Sequence, residues 1–186
     1  MVMSQKEIDI KYLREAYRFA EHSPDPSTQN GAIIVRDNSF FSMEPENLLG
    51  SGLNRFPRNV EKSTKRLERP MKYYFIEHAE RNAIYSAAFF GNSTRESIMY
   101  APWFACADCG RAIIQAGIKE VIGSTWPEKW WNERDNSVDS KRNWKESIKV
   151  ALEMFDEADV KYRWVEGEIG MIKVLFDGKW KSPRLF

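Results

Sequence analysis

The sequence of 186 residues is poor in cysteine and histidine, with two of each, and has no long uninterrupted apolar run. A membrane-spanning helix needs about 20 consecutive apolar residues, and the first residues, MVMSQKEIDIK, lack the apolar block of a signal peptide. Two cysteines cannot build a disulfide framework in a chain of this length. We therefore expect neither a membrane protein nor a secreted one, and predict a location in the cytoplasm.

The composition predicts a folded protein, because 42% of the residues are hydrophobic and 30% are charged. This is enough apolar material for a core and too much for intrinsic disorder. At about 100–200 residues per domain, the length predicts a single domain over residues 1–186. Within it we expect a basic insertion at about residues 55–75 and a C-terminal extension at about residues 168–186.

The spacing of apolar residues predicts an α/β protein. Helical periodicity is found in four segments, Gln5–Glu21, His78–Phe90, Cys106–Gly117 and Trp144–Ala158. The segments predicted as strands are Gly31–Val35, Asn47–Leu53, Ser97–Ala101, Lys119–Thr125 and Lys161–Val165. The first two strands are predicted to form a hairpin, and the later β-α-β-α-β alternation predicts partly parallel strands with helices on both faces of the sheet.

Positive charge is concentrated in one segment of a nearly neutral chain. The formal net charge is +1 at pH 7, yet residues 55–72 contain seven basic and two acidic residues. The segment therefore carries +5 and the remainder of the chain −4. A focused positive segment favours one anionic ligand over a surface coated with nucleic acid, although a solvated loop is an equally good interpretation.

Cys106 and Cys109 stand three residues apart where a predicted strand passes into a helix. On the first helical turn they share one face, and the positive end of the helix favours the thiolate, which is the form that binds zinc. Thioredoxin-like redox pairs have the same spacing, so a further ligand decides between the two interpretations. His78, which opens a predicted helix, is the candidate for that ligand, whereas His22 lies beside a proline-rich turn and is interpreted as incidental.

A Cys/Cys/His set fills three of the four tetrahedral positions of zinc, and the sequence has no third cysteine to close the shell. The fourth position is then open to water, which distinguishes a catalytic zinc from a structural zinc knot, the alternative interpretation. Glu80 lies about 200° around an ideal helix from His78, so it is poorly placed as a fellow ligand. It is instead a candidate general acid and base that carries a proton between water and a substrate nitrogen.

The combination of His78-Ala79-Glu80 on one helix and Cys106-x-x-Cys109 at the start of the next resembles the zinc-dependent cytidine and deoxycytidylate deaminases. The similarity covers most of the chain and is closest to the deoxycytidylate deaminase branch. The flanking segments that carry it are Asp25–Gln29, Gly31–Val35, Gly52–Pro57, Arg66–Pro70, Glu77–Ile84 and Cys109–Gly117.

The resemblance implies a three-layer fold of the cytidine deaminase kind, with a central mixed five-stranded sheet and helices on both faces. It implies that one catalytic Zn²⁺ is held by the three candidate ligands and that Glu80 moves protons. It further implies that the backbone amide of Ala79 contacts the pyrimidine O2 and that Asn54 holds the 3′-hydroxyl of the sugar.

For function, the resemblance implies hydrolytic deamination of dCMP to dUMP, with release of ammonia, in pyrimidine deoxynucleotide metabolism. A monophosphate is favoured over free cytidine because it gives the basic segment an anion to bind. The candidate phosphate contacts are Arg55, Arg58, Arg66 and Arg69. Phe104, before the first cysteine, and Trp126, after the strand next to the zinc helix, are further candidate substrate contacts, while Trp144 is predicted to pack on an apolar helical stripe.

The sequence departs from the family pattern at two places, so not every property of the family is expected in this chain. Ala105 stands where a proline usually precedes the first cysteine, and the turn 52–55 reads Gly-Leu-Asn-Arg instead of the Gly-Tyr-Asn-Gly linked to nucleoside triphosphate regulation. Regulation by dCTP or dTTP, with Mg²⁺, is therefore one alternative and an unregulated enzyme is the other. The insertion contains neither cysteine nor histidine, so we expect a single zinc. The branch is usually hexameric, which implies a homo-oligomer.

Other substrates stay open as alternatives. A tRNA adenosine deaminase, or another nucleic-acid base deaminase, would use the same metal and glutamate but would need an extended basic surface. The triphosphate dCTP and free cytidine are alternative small substrates. A non-catalytic nucleotide-binding regulator on the same scaffold would be expected to lack Glu80, which this chain retains. We expect a small nucleotide partner, no stable nucleic-acid partner and no membrane.

Overall fold

The computed structural model describes residues 3–37, 47–124, 144–167, 169–170, 172–176 and 178–181. Its elements are α1 (Gln5–Glu21), β1 (Gly31–Val35), β2 (Leu48–Leu53), α2 (Thr64–Leu67), α3 (Lys72–Phe75), α4 (Ala79–Phe89), β3 (Ile98–Tyr100), α5 (Ala107–Gln115), β4 (Glu120–Ser124), α6 (Trp144–Glu157), β5 (Lys161–Val165), β6 (Val174–Phe176) and β7 (Lys179–Lys181). None of the helices in these ranges combines the length and apolar character that crossing a lipid bilayer requires.

Five strands form one mixed sheet in the order β2-β1-β3-β4-β5. Strand β1 runs antiparallel to both β2 and β3, whereas β3, β4 and β5 are parallel to one another. The predicted hairpin is confirmed by β1 and β2, which begin their pairing at Gly31 and Leu53. The parallel strands arise because α5 and α6 each return the chain to the same end of the sheet. The predicted mixed five-stranded α/β fold is confirmed.

Helices cover both faces of the sheet and build two separate apolar cores. On one face, α1 buries Leu13 and Tyr17 against the strands. On the other face, Ala83 of α4, Ile113 of α5 and Phe155 of α6 are buried together. The three predicted layers therefore follow from sheet faces that are each apolar and each covered by helices.

Helix α1 begins and ends where the sequence predicts. Ser4 caps its start, because the Ser4 side chain accepts the amide proton of Glu7 while the Glu7 carboxylate accepts the Ser4 amide. At the other end the chain leaves the helix at His22, which is exposed. The metal-binding group found among the described residues does not include His22, and its interpretation as incidental stays a prediction.

Two glycines of β2 allow α4 to sit directly on the sheet. A Cβ atom on Gly52 would lie 2.2 Å from the carbonyl oxygen of Ala79, and one on Gly50 would lie 2.4 Å from that of Ala83. Both positions therefore need a residue without a side chain, because the helix backbone occupies that space. This close contact fixes the start of α4, and with it His78, against the edge of the sheet.

The C-terminal segment, predicted as an extension, packs into the core beside α1. Ile169 and Val174 are buried there, and β6 then pairs with β7 as a separate two-stranded sheet. Gln29 holds β6 in place, because its backbone amide donates to the carbonyl of Leu175 and its Oε1 accepts the Leu175 amide at 2.8 Å. This attachment brings Phe176 to the cavity described below.

Candidate active site

The predicted metal ligands come from the N-termini of two neighbouring helices. His78 is the N-cap residue of α4, Cys106 is the N-cap residue of α5, and Cys109 lies in the first turn of α5. Both helices pack on the same face of the sheet. Each helix N-terminus carries a partial positive charge of roughly half a unit. The two helix ends therefore bring three candidate ligand side chains to one place. Their partial positive charges favour the thiolate form of the cysteines there.

The three side chains meet at the distances that one zinc ion needs. The Nδ1 atom of His78 lies 3.6 Å from the Sγ atom of Cys106 and 3.5 Å from that of Cys109. All three ligand atoms lie within 4.8 Å of one another. Zn–S bonds of about 2.3 Å and Zn–N bonds of about 2.0–2.1 Å, at tetrahedral angles, place nitrogen and sulfur about 3.5 Å apart. The residues present therefore fit the ion, in line with the predicted His/Cys/Cys set.

Hydrogen bonding within the cluster favours a thiolate. The pKa of Cys106 falls to about 4, chiefly because Cys109 donates a hydrogen bond to its sulfur, with a further hydrogen bond from His78. The pKa of Cys109 rises because its thiol proton is held in that bond, and burial adds to the rise. Arg81, which pairs with Glu77, places its Nη1 atom 3.6 Å from the Cys109 sulfur. A cation that binds here displaces the remaining proton.

Glu80 lies in the first turn of α4 and is only 3% exposed. Its Oε2 atom is buried and has no hydrogen-bond partner among the described residues. Burial is the largest cause that raises the pKa of this carboxyl above its ordinary value. A buried carboxyl with an unused oxygen and a raised pKa is suited to accept and release a proton during a reaction.

A cavity of about 850 Å³, counting its open side, adjoins the ligand cluster. His78, Glu80 and Cys106 line it, so the structure brings the predicted ligands and the predicted acid/base residue to one space. Five aromatic side chains share the described lining: Tyr73, Trp103, Phe104, Trp144 and Phe176. An apolar cleft with a few convergent polar groups is the usual form of a small-molecule site.

Phe104, a predicted substrate contact, lies in the cavity wall with its ring stacked on Trp164 at a centroid distance of 3.9 Å. The second predicted aromatic contact, Trp126, falls outside the described residues. The substrate roles of both residues stay predictions.

Sequence reasoning missed four aromatic residues of the cavity, Tyr73, Trp103, Trp144 and Phe176. Trp144 was expected to pack on a helical stripe, but it also lines the cavity, with its ring centroid 5.8 Å from that of His78. Trp103 and Phe176 stack on each other at 4.1 Å and line it too. No local sequence pattern links residues 73 positions apart, because β6 reaches the cavity only through the fold.

Asn54, predicted to hold a sugar hydroxyl, lines the cavity and ties β2 to α4. Its Oδ1 atom accepts the backbone amide proton of Ala79 at 3.0 Å, and its Nδ2 atom donates to the carbonyl of Thr28 at 2.9 Å. The Ala79 amide, predicted to contact the pyrimidine, is thus engaged by Asn54 in this structure. Both predicted substrate contacts stay predictions.

The basic segment differs from the open positive surface that the sequence suggests. Lys72 is buried, with its Nζ atom 2.7 Å from the Oδ1 atom of Asp25. Arg58 and Arg66 lie over phenylalanine rings, with their guanidinium carbons 4.1 Å and 4.6 Å from the ring centroids. One of the seven positive charges is therefore neutralised inside the chain, and two more lie against aromatic rings.

The two remaining predicted phosphate contacts have different positions. Arg55 pairs through its backbone with Glu77 and is not among the described residues that line the cavity. Arg69 is exposed and does line the cavity. Of the four arginines that the sequence offers, Arg69 is thus the one that the described structure brings to the site.

Three side chains suited to bind zinc lie at one cavity together with a buried carboxyl. This combination is typical of enzymes that use a metal ion for hydrolysis. Comparison with known families shows which group of such enzymes the chain is similar to. Residues 6–125 match the family described as the cytidine and deoxycytidylate deaminase zinc-binding region. The chain therefore belongs to the cytidine and deoxycytidylate deaminase family, as the resemblance predicted.

Individual relatives extend this comparison. An uncharacterized deaminase in the luxG 3′ region of Aliivibrio fischeri is 32% identical over 163 residues, which cover 86% of this chain and 97% of that protein. Human deoxycytidylate deaminase is 34% identical over 119 residues, which cover 60% of this chain and 61%, less than two thirds, of the human protein. A dCMP deaminase from the cyanophage S-TIM5, solved in complex with dCMP and dUMP, has a TM-score of 0.58 at 21% identity, with 87% and 98% of the two chains covered, and so shows the fold.

Proposed function

We propose that this chain catalyses the hydrolytic deamination of dCMP, in which dCMP and water give dUMP and ammonia. Its relatives include deoxycytidylate deaminases from human and mouse, at 34% and 33% identity. The observation that carries the proposal is the buried, unpartnered Oε2 atom of Glu80 in the same cavity as the His78/Cys106/Cys109 cluster. This pairing supplies a metal site and a proton carrier at one place.

Zinc held by His78, Cys106 and Cys109 would supply Lewis-acid chemistry and make a water molecule a stronger nucleophile. Glu80 accepts the proton that this water must lose. The carboxyl then protonates N3 of the base, while C4 is attacked, and later assists the departing amine. Burial raises the pKa of Glu80, which suits a carboxyl that holds a proton between the two transfers.

The residues around the cluster position the base. Asn54 holds the first amide of α4 through Ala79, so it fixes the helix start that carries both His78 and Glu80. Trp144 lies against His78 and gives the cavity a flat apolar wall beside the metal ligands. A planar base gains free energy by leaving water and stacking against such a wall.

We further propose that Arg69 binds the 5′-phosphate. It is exposed and, of the four candidate arginines, is the one that lines the described part of the cavity. An arginine holds phosphate oxygens through paired charge-assisted hydrogen bonds. A nucleotide with its base beside Glu80 and its phosphate at Arg69 would use both the buried and the open part of the cavity. The predicted contribution of Arg55 has less support, since its described position is outside the lining.

Assembly and regulation also belong to this proposal. Large aromatic side chains are exposed on α3 and at the end of α4, where Tyr74 is 81% exposed and Phe89 65% exposed. Such surfaces commonly become buried between subunits, which supports the predicted homo-oligomer, a hexamer by resemblance. Light scattering at assay concentrations tests it, and a monomer throughout would contradict it. Adding dCTP or dTTP with Mg²⁺ to the assay decides between the regulated and the unregulated alternative, and unchanged rates would favour the unregulated enzyme.

One assay tests the proposed reaction directly. Ammonia release is measured with deoxycytidine, dCMP, dCTP, CMP and a short single-stranded DNA at equal concentrations. The proposal expects dCMP to have the highest kcat/KM, with deoxycytidine at least about tenfold lower because it lacks the phosphate. If dCTP or DNA has a higher kcat/KM than dCMP, that compound is the substrate and the proposal of dCMP is overturned. Deamination of an adenosine-containing tRNA with no reaction of dCMP would establish the nucleic-acid alternative.

A further inference from the structure

The C-terminal segment brings an aromatic side chain into the cavity from outside the part of the chain that matches the family. The family match ends at residue 125, whereas Phe176 belongs to β6 and lines the cavity. Phe176 is only 8% exposed, and its ring stacks on that of Trp103 with the centroids 4.1 Å and the planes 13° apart. Trp103 precedes Cys106 by three residues, in the loop between β3 and α5. One wall of the cavity therefore depends on contact between this loop and the C-terminal segment.

Hydrogen bonds hold this segment at a fixed place beside the cavity. Gln29 and Leu175 exchange two of them, since the Gln29 amide donates to the Leu175 carbonyl at 2.7 Å and the Leu175 amide donates to Gln29 Oε1 at 2.8 Å. The amide of Gly178 donates to the carbonyl of Ser27 at 2.9 Å. Because these bonds lie on both sides of Phe176 along the chain, they set the position of its ring against the turn before β1.

The indole ring of Trp103 is held by apolar contacts on this side of the cavity. It is partly buried and packs against the core that contains Val174, which lies on the same face of β6 as Phe176. Without the Phe176 ring, the indole would lose the flat surface on which it stacks, and other rotamers would become accessible to it. The place of Trp103 in the cavity wall therefore depends on Phe176.

We propose that Phe176 is a positioning residue for substrate binding, which holds the Trp103 ring in the wall that contacts the nucleotide. This inference rests on the proposed function, since the substrate in its test is dCMP. An apolar wall contacts the ligand in the ground state and in the transition state alike, so its loss weakens binding without slowing the chemical step. The C-terminal segment thus takes part in binding the substrate, while the metal ligands and Glu80 serve the reaction.

Steady-state ammonia release from dCMP tests the role of Phe176 through KM and kcat. Phe176→Ala should raise KM by about fivefold or more and leave kcat within about twofold of the wild-type value. The double variant Phe176→Ala with Trp103→Ala should have the KM of Trp103→Ala alone, because both changes remove the same stacked wall. Trp180→Ala is the matched control, since Trp180 pairs with Leu175 from β7, is 65% exposed and is not in the described lining. Its KM should equal that of the wild-type chain.

An unchanged KM in Phe176→Ala overturns the proposal, and so do effects that add in the double variant, since Phe176 would then act independently of Trp103. Zinc content, measured by elemental analysis, should stay at the wild-type level. Loss of zinc in Phe176→Ala also overturns the proposal, because the segment would then support Cys106 and not the wall. Phe176→Leu keeps an apolar side chain that cannot stack, and it replaces Phe176→Ala if the latter does not fold. A wild-type chain that does not deaminate dCMP overturns the proposed function instead, and the same variants are then compared on the compound that it does deaminate.

Discussion

Lys72 and Asp25 form an ion pair inside the wall of the cavity, with Nζ 2.7 Å from Oδ1 and 3.0 Å from Oδ2. Both side chains are buried, and the Asp25 carboxylate also accepts the backbone amides of Ser27 and Thr28. The pair connects the turn before β1 to the start of α3, so it fixes two segments of the cavity. It also neutralises one of the charges that the sequence places in the basic segment.

Asp25→Asn should destabilise the fold by about 3–5 kcal/mol, because it leaves the buried ammonium of Lys72 without a countercharge. The double variant Asp25→Asn with Lys72→Met removes both charges and should recover a large part of that loss. Urea unfolding gives the free energy of unfolding of each variant. Equal stability of Asp25→Asn and the wild-type chain would show that the pair contributes little.

Arg69→Ala should lower kcat/KM for dCMP by about tenfold or more and leave turnover of deoxycytidine unchanged, because only the nucleotide carries a phosphate. Arg58→Ala is the matched control, since Arg58 lies over the Phe89 ring and not in the described cavity lining. Steady-state ammonia release with both substrates makes the comparison. If Arg58→Ala lowers kcat/KM for dCMP as much, the effect comes from the overall positive charge of the segment and not from contact between Arg69 and the phosphate.

In the metal-free chain, the Cys106 thiolate should persist to a pH of about 4, where its pKa lies. In the unfolded chain the pKa of a thiol is about 8.5. Because the pKa is lower in the folded chain, the thiolate stabilises the fold fully above about pH 8.5, and this contribution is lost as the pH falls to about 4. Thiolate absorbance near 240 nm should therefore fall with a midpoint near pH 4. Cys109→Ala removes the hydrogen bond that is the main cause and should raise the midpoint. A midpoint near 8.5 in the wild-type chain would contradict the geometry.

Gly52→Ala should destabilise the chain by about 1–3 kcal/mol or more, because the new Cβ meets backbone atoms of α4, which cannot move independently of the helix. The new Cβ would push the start of α4 away at Ala79, next to His78, so the affinity for zinc should fall as well. Ser51→Ala changes the adjacent position, on the opposite face of β2, and serves as the control. Thermal melting and zinc titration measure the two effects. Unchanged values in Gly52→Ala would mean that α4 does not depend on this contact.

The zinc cluster could be predicted from the sequence because its geometry is local. Cys106 and Cys109 share one helical turn, and His78 and Glu80 share another, so spacing predicts each half of the cluster. That the two halves meet, with His78 28 residues from Cys106, was predicted from the scarcity of histidine and from the family resemblance. The five-stranded sheet was predictable for a similar reason, since alternating strands and helices leave few possible connections.

The rest of the cavity depends on contacts between distant segments. The ion pair of Asp25 and Lys72 joins positions 47 residues apart, and Phe176 reaches Trp103 only because β6 is attached beside β1. Charge counting overestimated the free positive charge, because a sequence does not show which cations pair internally.

The central claim is that Glu80 moves the protons of a zinc-dependent deamination, and Glu80→Gln tests it most directly. Glutamine keeps the size of the side chain but cannot act as a base, so ammonia release from dCMP should fall by about 100-fold or more. Zinc content, measured by elemental analysis of the purified variant, should stay at the wild-type level because Glu80 is not among the His78/Cys106/Cys109 ligands. A Glu80→Gln chain that retains zinc and deaminates dCMP at the wild-type rate would contradict the account.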